Sequence, residues 1–133
     1  MTIEDDKRSA LIGYRLEQAK EMIKDSELLL ANNSFRSATN RIYYGMFYAL
    51  MALALKHHFE TSKHAQLLGW FNKNFISQGL IEVKYWKILK NAYRNRTNAD
   101  YVNFTELSKE EVEETFSDLK TFINAIETFL EKE

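Results

Sequence analysis

No proline interrupts this 133-residue chain, and its four glycines, Gly13, Gly45, Gly69 and Gly79, stand far apart. Proline and glycine are the strongest breakers of regular structure. A chain this poor in both does not build the many tight turns of an all-β protein. Nor does it build a glycine-rich phosphate loop. What repeats instead is apolar spacing of three and four residues. From about residue 8, Ile12, Leu16, Ala19, Ile23, Ser26 and Leu30 form one stripe. From Phe35, the positions Ala38, Ile42, Met46, Ala49 and Leu53 form another. Such stripes mark helices with one face against a core.

The helices can be bounded from their ends. Asn32, Asn33 and Ser34 stop the first and can cap the second. His57 to Thr61 breaks the second, and Ser62 is expected to cap a shorter third helix with Leu67, Leu68, Phe71 and Phe75. Gln78-Gly79 ends it, glycine suiting a left-handed cap. A fourth helix turns Tyr85, Leu89, Ala92 and Tyr93 inward. Residues 98–107 read as polar and irregular, anchored by Tyr101 and Phe104. Ser108 to Glu111 forms a capping box, and Val112, Phe116, Leu119, Ile123, Ile126 and Leu130 line the last helix. The expected fold is all-α, one five-helix antiparallel bundle over 1–133.

The second helix is apolar on nearly every side. Tyr43, Phe47, Leu50 and Ala54 make a second stripe beside the first, which predicts a homodimer with this helix at the interface. The longest uncharged run, Ile42 to Leu55, is 14 residues. A membrane span needs about 20, and the acidic start at Glu4, Asp5 and Asp6 is not a secretory signal. A cytoplasmic protein is expected, with no membrane contact.

Composition excludes some chemistry. There is no cysteine and there are three histidines, so thiol catalysis and thiolate metal sites are absent. His57, His58 and His64 lack the i, i+3 or i+4 spacing of a helical metal pair. No metal and no cofactor are expected. Charge is uneven: residues 1–55 are neutral, 56–96 carry eight basic and two acidic residues, and 97–133 carry three basic and ten acidic. The basic segment either meets the acidic one in space or attracts phosphate or RNA.

Two polar constellations stand out. Arg41, Tyr44 and Tyr48 share a face of the second helix beside Asn40, where an arginine and two phenols can hold an anion and stack a base. They would equally close a buried tyrosine network. Arg94, Arg96, Asp100 and Tyr101 form the densest polar cluster, with Arg96 and Asp100 one turn apart and able to pair. His64, beside Lys63 at a helix start, can cap, pack or titrate.

Asn40-Arg41-Ile42-Tyr43-Tyr44-Gly45-Met46-Phe47 resembles the Arg-x-Tyr-Tyr-x-Met-Phe signature of the HEPN family, the higher eukaryotes and prokaryotes nucleotide-binding domain. Ser62-Lys63-His64 with Phe71 and Phe75 resembles its Lys-x-His helix start. Arg96-Thr97-Asn98-Ala99-Asp100-Tyr101 resembles its Arg-x-x-Ala-Asp-Tyr motif. Leu16, Glu17, Ala19 and the Leu28-Leu29 pair match its opening helix. The resemblance implies a helical homodimer of bacterial or archaeal cytosol, often paired with a minimal nucleotidyltransferase in a toxin–antitoxin module. In many members the chain is a metal-independent RNase with an arginine followed four to six residues later by a histidine. Here no histidine follows His64. The expectation is a non-catalytic module that binds nucleotide, RNA or a nucleotidyltransferase through Arg41, Tyr44, His64, Arg96, Asp100 and Tyr101. The alternative is a divergent RNase using Arg96 with Asp100 or His64.

Overall fold

The computed structural model describes residues 2–99 and 107–133. Within them lie five helices: α1 (Ile3–Ala31), α2 (Phe35–Lys56), α3 (His64–Phe71), α4 (Val83–Ala99) and α5 (Lys109–Lys132). The third runs on into a π-helical turn, Asn72–Ile76. No strand occurs among the described residues, and the all-α bundle read from the sequence is what the chain forms.

The ends of the helices follow local chemistry, with three departures from expectation. α1 starts five residues earlier than its apolar stripe. Thr2 accepts from the Asp5 amide at 3.1 Å while the Asp5 carboxylate takes the Thr2 amide. Glu4, Asp5 and Asp6 then sit in the first turn, where negative charge suits the helix dipole. Ser34 occupies the N-cap of α2 but makes no side-chain cap bond. Lys63, not Ser62, occupies the N-cap of α3, again without a side-chain bond. The Thr61 hydroxyl instead takes the Lys63 amide at 3.2 Å. The Ser108–Glu111 capping box forms as read. Gly79 turns the chain after the π-helical turn at φ +73°, where glycine carries no Cβ penalty.

α2 is the centre of the bundle, packed against α1, α3, α4 and α5. Its Gly45 faces both α1 and α5. A Cβ there would stand 2.6 Å from Leu119 Cδ1 of α5 and 3.1 Å from Met22 Cβ of α1. Any larger residue would hold α1 and α5 off.

The second stripe needs no partner to be buried. Tyr43, Phe47, Leu50 and Ala54 are 0%, 6%, 0% and 3% exposed within one chain. Phe71, Leu67, Leu89 and Ala92 belong to the same core. α3 and α4 together cover the face that α1 and α5 leave open. Four helices around one central helix bury more of it than the usual two-neighbour picture of a bundle suggests, so that stripe is core.

Candidate functional site

Tyr43 and Tyr44 lie midway along α2, His64 begins α3, and Arg96 lies three residues before the last described residue of α4. The fold brings these four together. The Tyr43 hydroxyl and His64 Nδ1 are 2.7 Å apart. Arg96 donates from Nη2 to the Tyr44 hydroxyl at 3.2 Å. Its guanidinium carbon lies 5.7 Å from the Tyr43 ring centre and 5.5 Å from that of Tyr44, within cation–π range. The imidazole of His64 stacks on Phe47 at 4.1 Å and meets Tyr44 edge-on at 5.7 Å.

The electrostatics follow from this packing. Burial, helped by the Arg96 cation, holds the His64 pKa below its ordinary value. Burial pushes the Tyr43 phenol well above its own. The histidine is therefore a neutral ring, and the tyrosine keeps its proton.

Arg41 lies on a neighbouring face. It is exposed and donates to the Asn40 side chain at 3.1 Å. Asn40, Arg41, Tyr44 and Tyr48 of α2, with Met22 and Asp25 of α1, line a groove of about 500 Å³. A smaller cavity of about 190 Å³, sharing Asn40 and Arg41, lies beside Arg36, Ser37 and Ala99. Arg36 pins the two ends together, donating from Nε to the Ala99 carbonyl at 2.6 Å. Tyr44 is the shared wall: one side lines the groove, and its hydroxyl meets Arg96. Of the six residues singled out in the sequence, Tyr44, His64 and Arg96 are in one cluster and Arg41 reaches it through Tyr44. Asp100 and Tyr101, with the expected Arg96–Asp100 pair and the Tyr101 and Phe104 anchors, lie outside the described residues. Asn98 and Ala99, expected to be irregular, are helical.

Sequence reading missed three things. Tyr43 was assigned to an interface, but it is the hydrogen-bond partner of His64. Arg36 drew no notice, because its bond to Ala99 joins residues 63 apart. Third, no spacing along the chain shows that Arg96 and His64 meet on the same two tyrosines.

Elsewhere the surface is plainer. A more apolar cavity of about 410 Å³ lies at the other end of α2, lined in part by Leu11, Met51, Phe59 and Leu67. The six lysines of the basic segment lie within ion-pair distance of no acid among the described residues. His57 does reach Glu133, at 2.7 Å. Among the described residues no three potential metal ligands cluster, and no helix is long and apolar enough to cross a membrane.

A model of the HEPN domain matches residues 12–129. The chain belongs to the HEPN family. It is 32% identical over 126 residues to a UPF0332 protein of Thermotoga maritima, covering 95% of this chain and 96% of that one. Two Methanocaldococcus jannaschii proteins carry the name "putative toxin". One is 33% identical over 115 residues, covering 86% of this chain and 78% of its own. The other is 30% identical over 117 residues, covering 88% and 87%. Within this HEPN domain the quoted motifs occupy defined places: Arg41 to Phe47 supplies both walls of the cluster, Lys63-His64 starts the helix that carries the imidazole, and Arg96 closes it from α4.

Proposed function

We propose that this HEPN domain is a cytoplasmic binding module for the phosphate of a nucleotide or RNA, acting as a homodimer beside a nucleotidyltransferase partner. The carrying observation is the groove in which Asn40, Arg41, Tyr44 and Tyr48 stand together, with Arg96 against its Tyr44 wall. Guanidinium groups donate to phosphoryl oxygens, and phenol rings stack on bases. The toxin names of two relatives support a place in a toxin–antitoxin module. Since the Tyr43 stripe is internal, self-association uses another face. A charge-assisted hydrogen bond contributes about 1.5–3 kcal/mol. Arg41→Ala should therefore weaken binding of AMP or a short RNA by roughly tenfold or more. For RNA, the salt dependence should also flatten by about one phosphate contact. Titration at low and raised salt measures both. Absence of binding at any salt would reject the reading, and sedimentation would reject the dimer if only monomer appeared.

A second reading has one observation in its favour. Arg96 and His64 flank the same two tyrosines, which restores in space the arginine–histidine neighbourhood that is missing along the chain. A divergent RNase would use this pair. Incubation of the pure protein with labelled RNA, alongside Arg96→Ala and His64→Ala, decides the matter. Cleavage lost in both folded variants would favour the enzyme over the module.

A further inference from the structure

The two nitrogens of His64 have different surroundings. Nδ1 is held by the Tyr43 hydroxyl at 2.7 Å. Nε2 has no hydrogen-bond partner among the described residues, and the His64 side chain is only partly buried. The ring between them is fixed. Phe47 stacks on it at 4.1 Å with planes 11° apart, and Tyr43 and Tyr44 contact it at 5.6 and 5.7 Å between centres.

Which nitrogen carries the proton follows from the hydroxyl. Tyr43 is completely buried, and its hydroxyl makes this one hydrogen bond. If Nδ1–H donated, the hydroxyl proton would be a buried donor with no acceptor. An orphaned buried donor is rarer than an under-used acceptor oxygen. The hydroxyl therefore gives its proton to Nδ1. Burial of the ring, and then the Arg96 cation, disfavour a second proton. A neutral imidazole that accepts at Nδ1 carries its hydrogen on Nε2.

We infer that Tyr43 locks His64 as its neutral Nε2–H tautomer, which presents a fixed hydrogen-bond donor to a phosphoryl oxygen of the ligand beside Arg96. His64 is then a ligand-positioning residue and not a proton acceptor, and Tyr43 sets its polarity from within the core. The ligand half of this inference rests on the nucleotide-binding reading; the tautomer half does not.

The test begins with the full chain, its histidines labelled with ¹⁵N and no ligand added. The expected long-range ¹H–¹⁵N spectrum shows His64 Nε2 protonated and Nδ1 bare. The reverse assignment, or an even mixture, overturns the inference whatever the protein binds. AMP is then titrated as the probe, and the Nε2–H signal of the wild-type chain should move. His64→Asn removes a donor at this position and should weaken AMP binding about fivefold or more, as loss of one hydrogen bond of about 1 kcal/mol does. His64→Gln sets an amide near the place of Nε2 and should recover most of that loss. If both variants lose affinity equally while the wild type binds, the donor role is wrong and nucleotide binding stands. If the wild type binds no AMP or RNA, the nucleotide reading falls and takes the ligand half with it.

Discussion

On one face of α2, Tyr43, Phe47, Leu50 and Ala54 vanish into the chain's own core; on the next, Arg41 is exposed and Tyr44 and Tyr48 are half-buried along a groove. Both faces are rich in rings, and both have helical spacing. The difference lies in what stands opposite. α3 and α4 close over the first face, while the second touches them only through Tyr44 and otherwise borders, with Met22 and Asp25 of α1, an open groove. Aromatic density on a helix thus does not distinguish core from open groove. The placement of the polar atoms does: the Tyr43 hydroxyl is used internally by His64, whereas the Tyr44 hydroxyl holds an arginine at the edge of the groove.

Substitution should separate the two faces most strongly where a ring is removed. Tyr43→Ala opens a cavity in the core and should cost about 3–5 kcal/mol of unfolding free energy. Tyr48→Ala on the groove face should cost far less. Equal losses in urea denaturation would erase the distinction. Gly45→Ala comes next. Its methyl group would press on Leu119 and Met22, and overpacking of about 1–3 kcal/mol outweighs the gain of about 1 kcal/mol in helix propensity. A lower midpoint at unchanged slope is expected. Tyr43→Phe keeps the ring and strips His64 of its partner, for about 1 kcal/mol.

The pH profile sharpens the comparison further. His64 has its pKa held below 6.5 in the folded chain, by burial first and Arg96 second. The folded state therefore binds that proton less readily than the unfolded one. The stability this confers is complete above about pH 6.5 and is lost as pH falls from there toward the folded value. Tyr43, raised above 10.0 by burial, contributes in the opposite sense, and its share is lost as pH rises past about 10. Thermal melts of His64→Gln should show a shallower acid slope than the wild type. An identical slope would mean that the ring is no more buried than a surface histidine. Arg41→Ala should have the smallest effect on folding, within about 0.5 kcal/mol, because its side chain is exposed and, among the described residues, hydrogen-bonds only to Asn40.

The helices were legible because each announces itself locally. Ser108 and Glu111 cap α5 as their spacing requires, and Gly79 takes the positive φ that its position suggests. Thr2 and Asp5 carry the same kind of box, hidden only because the apolar stripe begins later. The Arg41–Tyr44–Tyr48 face was legible too, since neighbours on one helix follow from periodicity alone. His64 and Arg96 were grouped through the family resemblance and not through any spacing. No spacing rule connects a residue that starts α3 to one near the end of α4; only the way both helices lie on Tyr43 and Tyr44 does so. The buried stripe was misread for a similar reason. Sequence gives the faces of a helix but not the number of neighbours that cover them, and here α2 has four.

The central claim is that ligand binds on the outer face of α2 and leaves the inner face untouched. Backbone chemical-shift mapping with AMP at low salt tests it directly. The account predicts the largest shifts at residues 40, 41, 44 and 48 with companions at 64 and 96, and near silence at Leu50, Leu53 and Leu67. Shifts centred instead on the exposed lysines of α4 at 84, 87 and 90, or on the cavity beside Met51 and Phe59, would contradict it.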